Sequence, residues 1–250
     1  MTQSATADQA IPAEFTECHA RQVAAYKKNR NPGYDERIAD LRSLHRLVVD
    51  HHDALVDAVN KDFGCRCAFE TKFAETFMAQ DATLDAIKHL KKWMKPIRRH
   101  LDPTQFPLAR AWTFPQPVGV VGVVVPWNFP IAMAFQPLIG IIAAGNRAMI
   151  KMSENSNHLA MLLKQISPKY FPLDKLAFFE DAGGRGPQFT TLPFDHIFFT
   201  GSPAVGRHIL SVTGLKKVTL ELGNASPVVI ACTASPGRHR RQPVSAAKKP

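Results

Sequence analysis

The second half of the chain places its hydrophobic residues in short continuous runs, separated by stretches with helical spacing. The runs predict strands at residues 118–125, 148–152, 176–180, 196–200 and 218–222. The stretches between them predict helices at residues 132–144, 157–166 and 203–212. Strands that alternate with helices form right-handed βαβ units on a parallel sheet. We therefore expect an α/β fold with a doubly wound, Rossmann-like parallel sheet.

The run at residues 118–125 is almost wholly apolar and β-branched, and a proline follows it directly. A run without polar alternation is typical of a strand buried on both faces at the centre of a parallel sheet. Gly119 and Gly122 weaken a strand by themselves, so we expect another group to pack closely against the backbone there.

In the first half of the chain, hydrophobic residues recur at helical spacing and predict helices at residues 14–28, 35–60 and 69–94. The apolar stripe of the third helix is expected to face the core; it consists of Phe73, Phe77, Leu84, Ile87, Leu90 and Met94. A proline-rich link at residues 102–117 is expected to be extended and to cross between structural units.

These patterns divide the chain into segments of different character. We expect a disordered N-terminus at residues 1–13, a helical region with its extended link at 14–117, a dinucleotide-binding domain at 118–231 and a basic disordered tail at 232–250. Val228–Ile230 begins another apolar strand, but the residues from Thr233 onward cannot form a core. The tail is either natural or the product of a reading frame lost near Ala231, and its composition favours the second explanation.

The formal net charge of +10 comes largely from basic stretches rather than from one nucleic-acid surface. Residues 233–250 contain five Lys or Arg and no acidic residue, and another basic cluster lies at 88–99 on a predicted helix and its exit. A solvated helix face and a basic tail explain this charge, so we expect no nucleic-acid partner. A nucleic-acid binder that uses residues 238–249 is a weaker alternative, since that segment lacks aromatic residues.

Composition also favours a cytoplasmic protein without a membrane segment. The hydrophobic content of 45% is that of an ordinary globular chain, and the longest apolar runs are too short to span a bilayer. Residues 1–13 lack the pattern of a secretory signal. The cysteines show neither zinc spacing nor the density of a disulfide framework, so we expect reduced thiols and no metal site.

Trp127 and Asn128 lie between Pro126 and Pro130, directly after the strand at residues 118–125. Ligands of open α/β sheets bind at this carboxyl edge. An amide held in a proline-stiffened turn can donate hydrogen bonds to a developing oxyanion. The alternative is that Asn128 caps the next helix, because asparagine is a favourable N-cap residue.

Two further strand ends carry candidate cofactor contacts. The segment from Gly201 through Ser202 to Gly206 opens a helix, whose first backbone N–H groups can cradle a pyrophosphate. An ordinary strand-to-helix turn is the alternative, because neither a P-loop nor a G-x-G-x-x-G pattern is present. Lys151 and Glu154 end the second strand, where they can bond to ribose hydroxyls; a solvated ion pair is the alternative.

Glu221 ends the fifth strand within the stretch Thr-Leu-Glu-Leu-Gly-Asn. A carboxylate surrounded by apolar residues at the ligand-binding edge is favoured in its neutral form and can serve as a general base. The alternative is a structural carboxylate that precedes a glycine turn.

Taken together and in order, these motifs resemble the aldehyde dehydrogenase superfamily; they are Pro126-Trp-Asn-Phe-Pro130, Lys151-Met-Ser-Glu154, Phe199-Thr-Gly-Ser202 with Gly206, and Leu220-Glu-Leu-Gly223. The helical region is similar to the coniferyl aldehyde dehydrogenase branch in Asp62-Phe-Gly64, Glu70-Thr71, Glu75 and His89-Leu-Lys-Lys-Trp-Met94. The resemblance covers about residues 32–231.

The resemblance implies NAD(P)-dependent oxidation of an aldehyde, aromatic or otherwise bulky, with NAD or NADP as the cofactor. It implies that Lys151 and Glu154 hold the adenosine ribose and that Trp127 lines the nicotinamide end. Gly201 and Ser202 would face the pyrophosphate, and Gly206 belongs to the same cofactor-binding segment. Full-length members are expected to form homo-oligomers.

For catalysis, the resemblance implies that Asn128 stabilises the oxyanion formed when a cysteine thiolate attacks the aldehyde. Glu221 would then activate the water that hydrolyses the thioester. The nucleophilic cysteine and the catalytic domain are expected beyond residue 250, since Cys232 is close to Glu221 in sequence and lacks the family's surrounding motif. Met152 and Asn224 also depart from the family pattern, which has proline and glycine there. We therefore expect an inactive or nearly inactive chain; a non-catalytic NAD-binding or assembly module is the alternative.

Overall fold

The structure is a computed structural model, and it describes residues 10–181 and 183–223. The helices of this part are α1 (Ala13–Lys28), α2 (Tyr34–Asp50), α3 (His52–Phe63), α4 (Ala68–Thr71), α5 (Met78–Trp93), α6 (Pro130–Ala143), α7 (Asn157–Ile166), α8 (Gly186–Thr191) and α9 (Pro203–Val212). A π-helical segment lies at Lys72–Phe77 and a 3-10 turn at Ser167–Lys169. The strands are β1 (Ile97–Arg99), β2 (Ala111–Thr113), β3 (Val120–Val124), β4 (Arg147–Lys151), β5 (Leu176–Phe179), β6 (His196–Gly201) and β7 (Lys217–Leu222).

The main sheet has the strand order β5-β4-β3-β6-β7, and all of its neighbouring strands pair in parallel. Strand β3 is the centre of this sheet and is almost wholly buried, which confirms the prediction from its apolar run. The close approach expected at Gly122 is also present, because a Cβ atom there would lie 2.5 Å from the Phe194 ring. The chain order reverses between β3 and β6, which is the switch point of a doubly wound fold.

Each face of the sheet has its own apolar core, because successive strand residues point to opposite faces. One face carries Val121, Val123 and Ile150 against α6 and α7, and the helical region packs onto these two helices. The other face carries Val120, Met149, Ala177 and Phe179 with Phe15 of α1, Phe189 of α8 and Ile209 of α9. The predicted fold class is therefore confirmed, with helices on both sides of one parallel sheet.

The helix predicted at residues 35–60 is in fact two helices, α2 and α3, which are separated at His51. The backbone of His51, with φ −117° and ψ 19°, is outside the helical region. This break redirects the chain, so that α2 packs on α5 and α6 while α3 packs on α7. Sequence periodicity could not reveal it, because the apolar spacing continues across His51.

The helix predicted at residues 69–94 is interrupted by the π-helical segment, and its expected core stripe is partly wrong. Phe73, Phe77 and Leu84 are 60%, 53% and 51% exposed, whereas Leu90 is buried. A π turn accommodates one residue more than an α turn and shifts the inward-facing positions. Glu75, rather than either phenylalanine of the stripe, is consequently buried in this segment.

The link at residues 102–117 is not wholly extended, and the chain around it forms a hairpin. Strand β1 pairs antiparallel with β2, with Arg98 opposite Trp112. Helix α8 (Gly186–Thr191) was not predicted from the sequence. None of the helices in the described part of the chain is long and apolar enough to cross a membrane. The strand expected at Val228–Ile230, Cys232 and the basic tail lie outside the described residues.

Candidate functional site

A cleft of about 790 Å³ opens at the carboxyl ends of β3, β4 and β6. Five of the predicted cofactor contacts line it: Trp127, Lys151, Glu154, Gly201 and Ser202. The predicted residues come from separate strand ends, and the switch-point topology brings those ends to one edge. A second groove, of about 710 Å³ between α3 and α7, contains none of the predicted site residues.

The turn after β3 presents Trp127 and Asn128 to solvent, and its backbone is held from the helical region. Arg66 Nη1 donates a 2.5 Å hydrogen bond to the Asn128 carbonyl oxygen. Trp127 packs beside Phe63 at 6.0 Å between ring centroids. Asn128 does not line the cleft, so the structure places it beside the cleft at the same edge.

The alternative role of Asn128 as a helix cap is wrong. Helix α6 has Phe129 at its N-cap position and no side-chain cap from that residue. Its first free N–H groups, on Ile131 and Ala132, instead donate to Glu75 Oε2 at 2.7 and 3.2 Å. A carboxylate at this position also interacts favourably with the positive end of the helix dipole. The Asn128 amide group is therefore not used in capping α6.

Arg66 and Glu75 form a buried pair behind this turn. Arg66 Nη2 lies 3.3 Å from Glu75 Oε1, with side-chain exposures of 4% and 0%. The Arg66 guanidinium also lies over the rings of Phe63 and Phe129, at 4.7 and 4.5 Å. Burial raises the pKa of Glu75 above its usual value, while Arg66 and the two helix N–H groups act in the opposite direction. The pair fixes the turn that carries Asn128.

Sequence reasoning gave Arg66 and Glu75 no role in the site. Glu75 was noticed only as part of the family resemblance, and the π-helical turn that points it inward has no periodic signature. Arg66 lies between two exposed cysteines in a short loop, where a charged residue is normally solvated. No local pattern could indicate that it reaches a backbone carbonyl 62 positions later.

The end of β4 contains an ion pair, but its partners differ from those predicted. Lys151 Nζ lies 2.5 Å from Asp181 Oδ2, and both side chains are almost fully buried. Glu154 is exposed, and its Oε2 accepts a 3.2 Å hydrogen bond from Ser153 Oγ. The alternative of a solvated Lys151–Glu154 pair is therefore wrong. Asp181 could have been found from strand register, because Lys151 lies opposite Phe179 of β5.

The turn from β6 into α9 contains Gly201, Ser202 and Gly206, and the structure gives them different surroundings. Ser202 is the N-cap residue, and its Oγ accepts from Val205 N–H at 3.3 Å. Gly206 is buried beneath the cleft; its N–H donates to the Ser202 carbonyl, and a Cβ atom there would lie 2.8 Å from Leu222 Cδ2. Gly206 allows helix and strand to pack closely, so we expect no direct cofactor contact from it.

Glu221 lies at the carboxyl edge of β7, opposite Thr200 of β6. Among the described residues β7 is an edge strand and Glu221 is exposed, so the expected apolar surroundings of Glu221 are not found in that part of the chain. Asn128 and Glu221 lie at the same edge of the sheet, as expected, since Val124 of β3 aligns with Phe199 of β6 and the latter with Leu220. Two strand spacings, roughly 10 Å, separate β3 from β7. Within the described residues, no three His, Cys, Asp or Glu side chains are placed to bind a metal ion.

This chain is similar in sequence and in fold to known aldehyde dehydrogenases. A model of the aldehyde dehydrogenase family matches residues 2–239. A Pseudomonas aeruginosa protein named probable coniferyl aldehyde dehydrogenase is 42% identical over 214 residues, which are 85% of this chain and 45% of that protein.

Among solved structures, the substrate-bound state of Staphylococcus aureus AldH superposes with a TM-score of 0.80 at 28% identity, covering 85% of this chain and 46% of that chain. An E. coli enzyme described as NADP dependent has a TM-score of 0.75 at 25% identity, covering 86% and 44%. The chain thus spans less than half the length of these relatives.

Proposed function

This chain belongs to the aldehyde dehydrogenase family, and from that premise we propose that it binds NAD in the cleft at the carboxyl edge of β3, β4 and β6. The observation that carries the proposal is the convergence of predicted cofactor contacts from three strand ends on one cleft. The parent reaction is the oxidation of an aldehyde to a carboxylic acid. The named relative points to an aromatic aldehyde such as coniferyl aldehyde.

The cleft has the chemical groups that a dinucleotide requires. The exposed Glu154 carboxylate at the end of β4 can accept hydrogen bonds from ribose hydroxyls. The N-terminus of α9, next to Gly201 and Ser202, can face the pyrophosphate with its positive dipole end. Trp127 would border the nicotinamide, and residues 118–231 would form the dinucleotide-binding unit.

The chain also carries two groups suited to the aldehyde chemistry. When bound, NAD supplies a hydride acceptor. The side-chain amide of Asn128 does not cap α6, and it would donate a hydrogen bond to the oxyanion. The exposed Glu221 carboxylate would accept a proton from the water that attacks the acyl group. Both groups lie at one edge of the sheet, as they must if Asn128 is to stabilise the oxyanion and Glu221 is to activate the water at the same substrate.

Among the described residues, no cysteine lines the cleft, so none of the described thiols is placed to act as the nucleophile there. Burial raises the pKa of the Cys18 thiol to about 11, so little thiolate forms at neutral pH. Cys65 and Cys67 are exposed in the loop after α3. We therefore propose that the chain binds the cofactor without oxidising an aldehyde. This behaviour is equivalent to the alternative function, a non-catalytic NAD-binding or assembly module.

Calorimetric titration with NAD tests the proposal, together with an NADH-formation assay that uses coniferyl aldehyde. We expect micromolar NAD binding and no turnover. Glu154→Ala should weaken NAD binding by at least about tenfold, since a lost charge-assisted hydrogen bond costs about 1.5 kcal/mol or more. Asp57→Ala, an exposed carboxylate in the α3–α7 groove, is the matched control. Absence of NAD binding would refute the proposed cofactor site. Robust turnover would refute the proposal that the chain binds the cofactor without oxidising an aldehyde.

A further inference from the structure

We propose that Asp181 makes this cleft select NAD over NADP, because it neutralises Lys151 and withholds that ammonium group from a ribose 2′-phosphate. The inference rests on the proposed function, since it concerns the ribose end of the same cleft. NAD and NADP differ only in the 2′-phosphate. Discrimination must therefore come from the charges that surround this one position.

The Lys151–Asp181 pair is buried and fixed in place. Lys151 Nζ and Asp181 Oδ2 are 2.5 Å apart, with side-chain exposures of 5% and 4%. The second carboxylate oxygen, Oδ1, accepts a 2.5 Å hydrogen bond from the Arg185 backbone N–H. Gly186 packs over the ammonium group, since a Cβ atom there would lie 3.6 Å from Nζ. Asp181 is thus held from two sides and cannot turn away without leaving Lys151 unpaired.

A second cation near this end of the cleft, Arg185, is also ion-paired. Arg185 lies in the loop that follows Asp181, but its Nη1 donates to Glu14 Oε1 of α1 at 2.7 Å. Among the described residues that line the cleft, Lys151 is the only Lys or Arg, and His208 of α9 is the only histidine. Glu154 and Asp181 are the carboxylates of the same lining. Counting only these described lining residues, two carboxylates and one ammonium give the ribose end a formal net charge of −1.

This charge arrangement distinguishes the two cofactors. A ribose 2′-hydroxyl can donate a hydrogen bond to Glu154, as an acidic residue does at the end of a nucleotide-fold strand. A 2′-phosphate carries about −1.5 to −2 charges at neutral pH and has no proton to donate in its dianionic form. It would face both carboxylates, and recruiting Lys151 would strip a buried carboxylate of its partner. Repulsion of the wrong ligand, rather than attraction of the right one, supplies the selectivity.

The test is calorimetric titration of the full chain with NAD and with NADP, before and after Asp181→Asn. Asparagine keeps the size of the side chain and an acceptor for the Arg185 N–H, but it removes the charge. We expect wild-type chain to bind NADP at least about tenfold more weakly than NAD. Asp181→Asn should tighten NADP binding by about tenfold and change NAD binding by less than about threefold.

Glu180→Gln is the matched control, because it removes a carboxylate at the neighbouring position that lines the α3–α7 groove instead. It should leave the ratio of the two dissociation constants unchanged. The inference is overturned if wild type binds both cofactors equally, if Asp181→Asn leaves NADP affinity unchanged, or if Glu180→Gln has the same effect as Asp181→Asn. Equal binding of both cofactors would leave the proposed function standing, whereas binding of neither would remove both.

If the circular dichroism spectrum of Asp181→Asn differs from that of wild type, the inference is tested instead by how the wild-type preference for NAD over NADP depends on salt. Raising ionic strength from about 50 to about 500 mM shortens the Debye length from about 14 to about 4 Å. Repulsion across the open cleft should weaken, and the preference for NAD should fall several-fold. A preference that is absent at low salt, or that does not change with salt, would overturn the inference.

Discussion

The two edge strands of the main sheet have very different surroundings. β5 is buried at every position, because α7 packs on one of its faces and Phe15 of α1 packs against Phe179 on the other. β7 is exposed or half-buried at every position. We call the part with β3, β4, β5, α6 and α7 the supported half, and the part with β6, β7 and α9 the open half.

The two halves also differ in how their helices begin. In the supported half, α6 is capped by Glu75, and α7 is capped by Asp62 of α3, which accepts from the His158 and Leu159 N–H groups at 2.8 and 3.0 Å. In the open half, α9 is capped locally by its own Ser202. Distant carboxylates therefore order the edge that carries Asn128 and Lys151. The edge that carries Glu221 depends on local contacts, and this difference suggests how each residue can be tested.

The largest effect is expected at Glu75. Glu75→Ala removes the cap of α6 and the buried carboxylate partner of Arg66, whose guanidinium then keeps only the exposed Glu70 at 3.4 Å. Breaking a buried pair in this way costs about 3–5 kcal/mol. Urea denaturation should show a loss of that size in the free energy of unfolding. A loss below about 1 kcal/mol would mean that the supported half does not depend on the pair.

A smaller loss is expected at Asp62, the cap of α7. Asp62→Ala should lower the free energy of unfolding by about 1–2 kcal/mol, because two helix N–H groups lose their acceptor. Asp57→Ala on the same helix, whose carboxylate is exposed, is the control and should change stability by less than about 0.5 kcal/mol. Equal effects of the two substitutions would contradict the proposed cap.

Stability should also depend on pH through Glu75. Because its pKa is raised above the usual value of 4.5, the native state holds this proton more tightly than the unfolded state. The contribution of Glu75 is then fully present below pH 4.5 and is lost as pH rises through the native pKa. The free energy of unfolding of wild type, measured relative to Glu75→Gln, should fall as pH rises above about 4.5. If that difference in the free energy of unfolding instead rose with pH, the effect of Arg66 on the pKa of Glu75 would be larger than the effect of burial.

The smallest effect is expected in the open half. Ser202→Ala removes one local cap from an exposed position and should cost about 0.5–1 kcal/mol in the free energy of unfolding. Thermal unfolding followed by circular dichroism measures the loss of stability in Ser202→Ala and compares it with the losses in Glu75→Ala and Asp62→Ala. If Ser202→Ala proved as costly as Glu75→Ala, the distinction between the halves would be wrong.

The sequence predicted the strands of the sheet well, because burial on both faces requires continuous apolar runs that few other structures produce. It misplaced the exposed phenylalanines near residue 75, since a single π turn changes the register without changing composition. The cleft was predictable because strand ends of a parallel sheet share one edge. The roles of Arg66 and Glu75 were not, since each depends on a partner brought close only by the tertiary fold, whereas the pairing of Asp181 with Lys151 follows from the register of β4 and β5.

The most direct test of this account is a crystal structure of the chain with NAD. We expect the adenosine ribose within hydrogen-bonding distance of the Glu154 carboxylate and the pyrophosphate at the start of α9, beside Gly201 and Ser202. NAD bound in the groove between α3 and α7, or its absence from the cleft at saturating concentration, would contradict the account.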